Sequence, residues 1–203
     1  GTIGNLAWLV IQPVILIGTY WFVFSVGLKI TIVGGMPFIL YFVTGLVPWM
    51  LFLDSVNAAV RSVSDNKSLV KKVAFPLEIL PLVQVLAAAV NQIALLMILT
   101  VIFIVQGADV GWEALQLPYY FLSCLVLATG LGWLTSALNV FFKDMQQIVI
   151  AVTHVWFWLT PIVWPVDAVP ERYLWIIKMN PMYYIVEGYR DSLLEGIPIW
   201  SRS

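Results

Sequence analysis

Cysteine, histidine and charge are all scarce in this sequence. The single cysteine, Cys124, can close no intrachain disulfide, so a disulfide-stapled scaffold is excluded and Cys124 reads as a small packing residue. The single histidine, His154, has no second imidazole to share a metal; packing or a hydrogen bond to a neighbour outweighs a ligand role. Charged residues number 10 Lys and Arg and 11 Asp and Glu in 203, whereas a soluble domain carries about 25%. There is no Walker A sequence, no H-E-x-x-H and no glycine-rich nucleotide fingerprint. A net charge of −1 leaves no basic or acidic tail to name a partner. These absences exclude a soluble enzyme and a nucleic-acid binder.

What remains is apolar: 62% of the chain. Residues 1–28, 30–53, 79–108, 114–142 and 145–166 carry no charge at all, and each run is 22 to 30 residues long. About 20 apolar residues cross about 30 Å of hydrocarbon as a helix. An all-α polytopic membrane protein is therefore expected, with spans near 5–28, 37–60, 80–105, 118–142 and 146–164. A transmembrane β-barrel is excluded, because its strands would alternate polar and apolar over about 10 residues. The sequence begins inside an apolar run, without Met or a basic stretch, so this run is not a signal peptide and a preceding segment is expected.

Orientation follows from the connections. Arg61, Lys67, Lys71 and Lys72 crowd one of them, while the next, residues 106–117, has no Lys or Arg and carries Asp109 and Glu113. The positive-inside bias places the first in the cytoplasm and the second outside. Alternation then puts Lys143 and Asp144 inside and the tail from Pro165 outside, although the tail mixes both signs of charge. Within the tail, Pro170, Glu171 and Lys178 predict a short helix stopped by Asn180-Pro181. A second segment begins at Met182. Met182, Ile185, Val186, Tyr189 and Leu193 share one helical face, with Glu187, Arg190, Asp191 and Glu195 away from it. This pair is too short and too charged to span, and it fits helices lying on or dipping into the outer interface.

Intramembrane chemistry calls for acids, bases or metal ligands in mid-span, where such groups are costly and usually functional. Few are present. Asp54 ends the second apolar run and is expected to face the inner interface or water. Asn91, Gln92 and Asn139 read as interhelical hydrogen-bond partners. Residues 61–81, RSVSDNKSLVKKVAFPLEILP, predict a short amphipathic helix capped at Asp65 or Asn66 and ended before Pro76. A basic loop touching anionic headgroups and a knob docking into a cytoplasmic partner both fit it. Aromatics make up 14% of the chain, with 10 Trp. Those of the fifth run, Trp156, Phe157 and Trp158, do not thin out toward mid-span, and the first run adds Trp8, Tyr20, Trp21, Phe22 and Phe24. Lipid-facing or packing rings are one explanation; a wall that stacks against flat amphipathic groups such as sugars is the other. Three consecutive helical positions lie about 100° apart, so one of the three should line such a wall and another should pack. Trp158, a turn before Pro161, is the expected lining residue.

Four segments resemble the membrane subunits of type-2 ABC exporters: SLVKKVAFPLEILPL (68–82), ALNVFFKDMQQI (137–148), WLTPIVWPVDAVPE (158–171) and NPMYYIVEGYRDSLL (180–194). The branch they resemble most exports lipid-linked polysaccharides, namely O-antigen, teichoic acid and capsule. The likeness runs in order from Ile11-Gln12-Pro13 to the NPMYY segment. It implies a cytoplasmic amphipathic helix before the first span and a sixth span after the tail. It also implies a homodimer of permeases with two cytoplasmic ATPase subunits that bind the ATP and Mg, and a bacterial inner-membrane location. No cofactor is then held by this chain, which transports and does not catalyse. By the resemblance, Leu69, Lys71, Lys72, Phe75, Pro76 and Glu78 in the loop 61–78, with Lys143 and Asp144, contact the ATPase. Spans one and five line the passage, pointing to Trp8, Tyr20, Trp156, Phe157 and Trp158. Asn180, Pro181, Tyr183, Glu187 and Arg190 belong to outer re-entrant helices within 167–195. A type-2 exporter of drugs or small lipids is the nearest rival. An intramembrane transferase acting on polyprenyl-phosphate sugars is another, and it would cluster acids such as Asp54, Asp65 and Glu78.

Overall fold

The computed structural model describes residues 2–33, 35–66 and 76–201. Helix α1, Thr2–Trp21, lacks charge and continues as a π-helical turn, Phe22–Gly27. A two-stranded hairpin follows, β1 Ile32–Val33 and β2 Met36–Pro37, paired antiparallel with Val33 opposite Met36. Gly35 makes the turn at φ 79°, a conformation that glycine adopts freely. The long helices α2 Phe38–Asp65, α3 Ile79–Gln106 and α4 Leu117–Phe141 come next. Gly107 ends α3 in the left-handed conformation, its N–H bonded to the carbonyl of Ile104 while Ala108 N–H reaches Phe103. Pro118 sits in the first turn of α4, where a missing N–H costs nothing.

Among the described residues, four helices are long and apolar enough to cross a membrane: residues 10–27, α2, α3 and 112–141. The fifth charge-free run departs from the sequence expectation. It is helical only over α5, Met145–Leu159. Thr160 then turns extended (φ −96°, ψ 132°), as the residue before Pro161 must to avoid the proline ring. Beyond it lie a 3-10 turn at Glu171–Tyr173, the short helix α6 Leu174–Lys178, and α7 Pro181–Arg190, which runs on as a π turn, Asp191–Glu195.

Helix α2 is the axis of the molecule. It is buried over 78% of its most apolar stretch, against 28% for α3 and for the 112–141 segment, which pack on either side of it. Polar contacts fix it at the point where Pro48 interrupts its ladder. Gln92 of α3 donates to the Val47 carbonyl at 2.7 Å, and Cys124 of α4 donates through Sγ to the Pro48 carbonyl at 3.5 Å. Gln92 thus makes the interhelical bond expected of it, and Cys124 packs fully buried. Asn139 of α4 donates to Ser64 Oγ at 3.2 Å at the end of α2. Small residues permit the close approach: a Cβ at Gly132 would lie 2.8 Å from that of Ala59.

The tail closes over the hairpin end of the bundle. Gln116 donates to the Ile197 carbonyl at 3.3 Å and accepts from Ile199 N–H at 2.6 Å, and Trp112 and Trp200 meet with ring centroids 6.2 Å apart. The amphipathic pattern expected for α7 needs correction. Met182, Ile185, Val186, Tyr189 and Leu193 are buried, but Glu187, Arg190 and Asp191 are buried as well. The helix is inserted against α2 and α4 on both faces, not laid on a surface with its charges in water.

Candidate functional site

A cavity of about 460 Å³ opens where α1, α2 and α5 meet. Helix α1 brings Gln12, Leu16, Thr19 and Tyr20 to it, α2 brings Leu46, Trp49, Met50 and Leu53, and α5 brings Thr153, His154 and Phe157. The two faces of α1 differ in kind. Its opposite side, Val10, Val14, Ile17, Gly18 and Trp21, forms an apolar groove with Met97, Val101 and Val105 of α3. Helix α5 is divided in the same way, since Ala151, Val152, Val155 and Leu159 face a second apolar groove shared with Ile176 and Met179. An amide or imidazole facing hydrocarbon without a partner costs several kcal/mol, on the order of 2–7 for an uncompensated polar group. The polar groups of α1 and α5 therefore gather on the side where water or a polar ligand can reach them.

A run of rings carries the cavity wall. Tyr20 stacks on Phe42 (centroids 4.8 Å) and meets Phe157 edge-on at 6.3 Å. Phe157 touches Trp49 at 5.6 Å, Trp49 touches Phe52 at 5.5 Å, and Phe52 meets Trp156 at 5.1 Å. Of the residues expected at the passage, the structure brings Tyr20 and Phe157 to this cavity. Trp156 instead packs and anchors, donating from Nε1 to Asn180 Oδ1 at 2.6 Å. Trp158 and Trp8 are exposed and lie outside the cavity. Trp49, Gln12 and His154 were not singled out for the wall from the sequence. Phe38, Phe42, Trp49 and Phe52 fall at helical spacings of four, seven and three, a one-face signal that was there to be read.

The residues around α7 build a second polar centre. Asn180 caps α7: its Oδ1 accepts from Met182 N–H at 3.0 Å, and its Nδ2 donates to Thr160 Oγ1 at 2.9 Å. Pro181 opens the helix as its first residue, and Tyr183 meets Tyr184 edge-on. Arg190 is 1% exposed. Its Nη1 donates to Glu187 Oε1 at 2.6 Å and to the Pro161 carbonyl at 2.7 Å, and Nη2 donates to the Ile162 carbonyl at 3.1 Å. Nε and Nη2 reach the Tyr41 carbonyl at 3.4 and 3.3 Å, and the guanidinium lies 3.5 Å from the Tyr41 ring centre.

At the opposite end, Pro76, Glu78, Lys143 and Asp144 are exposed. Trp133 donates to the Glu78 carbonyl at 2.8 Å, which ties that end of the loop to α4. Leu69, Lys71, Lys72 and Phe75 lie outside the described residues. Among the described residues, no three of His, Cys, Asp and Glu are grouped so as to hold a metal ion, and Asp54, Asp65 and Glu78 make no such cluster.

The sequence pattern of the ABC-2 type transporter family matches residues 2–194. An O-antigen export system permease protein, RfbA, of Klebsiella pneumoniae is 27% identical over 191 residues, covering 93% of this chain and 72% of that protein. RfbA of Myxococcus xanthus is 28% identical over 198 residues, covering 96% and 75%. The polysialic acid transport protein KpsM of Escherichia coli is 18% identical over 194 residues, covering 93% and 73%. With nearly its whole length matched and an all-helical membrane architecture, the chain belongs to the ABC-2 type transporter family, as a multi-pass transport subunit.

Proposed function

We propose that this chain is the permease subunit of an ATP-driven exporter that moves a lipid-linked polysaccharide across the bacterial inner membrane. Two copies pair with two cytoplasmic ATPase subunits, which bind the ATP and Mg. The observation that carries the cargo is the agreement of the relatives: permeases named for O-antigen export and a transporter named for polysialic acid align with more than nine-tenths of this chain, at least 93%. The α1–α2–α5 cavity supports it chemically. Sugar rings present flat C–H faces that can lie against Tyr20, Trp49 and Phe157, and hydroxyls that Gln12 and His154 can meet. Such stacking fixes no register, so a long polymer slides past where tight polar binding would trap it at each repeat. Force enters at the far end. There the loop 61–78, with Leu69, Lys71, Lys72, Phe75, Pro76 and Glu78, and the turn at Lys143 and Asp144 face the cytoplasm and contact the ATPase.

Deletion of this chain in its own bacterium tests the reading. Lipid-linked glycan should accumulate inside and disappear from the surface, and the wild-type gene should restore it. Unchanged surface glycan in the deletion strain would overturn the assignment.

A further inference from the structure

Two residues at opposite ends of α7 bind the same broken stretch of α5. Asn180 holds Trp156 Nε1 at 2.6 Å and Thr160 Oγ1 at 2.9 Å, and Arg190 holds the Pro161 and Ile162 carbonyls at 2.7 and 3.1 Å. The bonds of Arg190 to α2 are of another kind. They reach a single carbonyl, that of Tyr41, at 3.3 and 3.4 Å, where a hydrogen bond is already weakening. The remaining contact with α2 is flat and featureless: the Tyr41 ring, and Gly45, where an added Cβ would come within 2.7 Å of Nη2. Short bonds therefore join α7 to residues 156–162, while the bonds from Arg190 to α2 are long; α2 otherwise meets these segments through packed side chains and rings and through the Tyr41 hydroxyl, which donates to the Trp164 carbonyl at 3.2 Å. Backbone freed from a helix at membrane depth must be satisfied by protein, so these links cannot lapse without replacement.

We propose that Asn180 and Arg190 are positioning residues of the transport step. They rivet α7 to the end of α5, so that α7 and the end of α5 shift as one body against α2, and Phe157 moves with them. This rests on the chain being a transporter, not on which cargo it carries.

The test uses the intact permease–ATPase complex with Cys124→Ala, carrying Thr160→Cys and Asn180→Cys. Without a bridge, both bonds from Asn180 to residues 156–160 are lost, and glycan exported per ATP hydrolysed should fall by at least about fivefold, the worth of a single net hydrogen bond. Bridging the two thiols with a methylene-linked bis-thiosulfonate should restore that ratio, and a reductant should lower it again. A bridge that lowers export further while ATP hydrolysis continues would overturn the proposal, since the two segments must then separate during transport. Thr160→Val supplies a gentler cut, removing only the hydroxyl that Asn180 reaches. It should lower the same ratio at unchanged membrane level, and an unchanged ratio would count against the rivet. If the wild-type complex moves no glycan, the cargo assignment fails by itself, and the rivet is read from the rate of ATP hydrolysis, which the unbridged variant should shift and the bridge should return to the wild-type rate.

Discussion

Gly188 offers a test of how deeply α7 is seated, because two effects of known sign compete there. Replacing a helical glycine by alanine ordinarily stabilises by about 1 kcal/mol, through the backbone freedom removed from the unfolded chain. At Gly188, however, an added Cβ would fall on the Tyr120 ring of α4, against Cε1, Cδ1 and Cζ. That ring is itself buried in the core, at 9% exposure, and has little room to swing away. Overpacking costs about 1–3 kcal/mol, and overlap with three ring atoms places this site at the upper end. The net for Gly188→Ala is then a loss of about 2 kcal/mol. Gly130 on α4 is the control: nothing lies within 4 Å of its added Cβ, so only the propensity gain remains. For a chain of this length about 2–4 °C accompanies each kcal/mol, so thermal unfolding of the purified protein should separate the two variants by several degrees in opposite directions. Adding Tyr120→Leu to Gly188→Ala should recover part of the loss, as expected of residues in contact. If Gly188→Ala melts at or above the wild type, α7 does not sit against α4 as described.

Three further outcomes are expected. Phe157→Ala should reduce surface glycan more than Trp158→Ala at equal membrane level, measured by quantitative surface staining; the reverse order would move the passage to the other side of α5. A cysteine at Glu78, with Cys124→Ala, should react with an impermeant thiol reagent only from the cytoplasm, and one at Val110 only from outside; reversed labelling would invert the topology. Leu69→Asp should uncouple ATP hydrolysis from export more than Lys71→Ala does, because an exposed lysine pair contributes only about 0–1 kcal/mol. Equal export by both variants would mean that docking there is not apolar.

Long helices were the most legible part of the sequence, since a charge-free run of more than about 20 residues has few other fates. The end of α5 was legible in part: Pro161 announces a break, but nothing local says that residues 160–165 stay non-helical before the next turn. In the cavity, Tyr20 and Phe157 could be anticipated by resemblance to a family, yet Gln12, Trp49 and His154 could not be grouped with them. Their meeting depends on how three helices are rotated about their axes, and a span that is apolar on every side gives periodicity little contrast to report. Trp158 was favoured for its place beside Pro161. A proline, however, sets where a helix stops and says nothing of which ring faces inward.

Arg190 shows why the amphipathic reading of α7 failed, and in what sense the failure is general. Periodicity reveals that two faces of a helix differ; it does not reveal which face meets water. In a soluble protein the charged face is the solvated one, because burying a charge without partners costs far more than burying a methyl group. Where a neighbouring helix has broken in an apolar setting, the rule inverts. The non-helical stretch after Leu159 exposes carbonyls that no helix ladder can satisfy. Arginine brings several N–H donors in a fixed fork, more than any other side chain. It bonds the Pro161 and Ile162 carbonyls, while the Tyr41 hydroxyl donates to the Trp164 carbonyl at 3.2 Å and Trp164 Nε1 to the Trp158 carbonyl at 3.1 Å. Glu187 offsets the charge within the same helix. Removing Arg190 alone would take the guanidinium away from the Glu187 carboxylate and its donors away from the Pro161 and Ile162 carbonyls, a loss of about 3–5 kcal/mol for a broken buried pair. Arg190→Met should thus abolish the folded permease outright, as a loss of membrane-inserted protein. Glu187→Gln keeps an acceptor in place and should leave the protein folded, and equal membrane levels of Arg190→Met and wild type would show that the carbonyls find other donors.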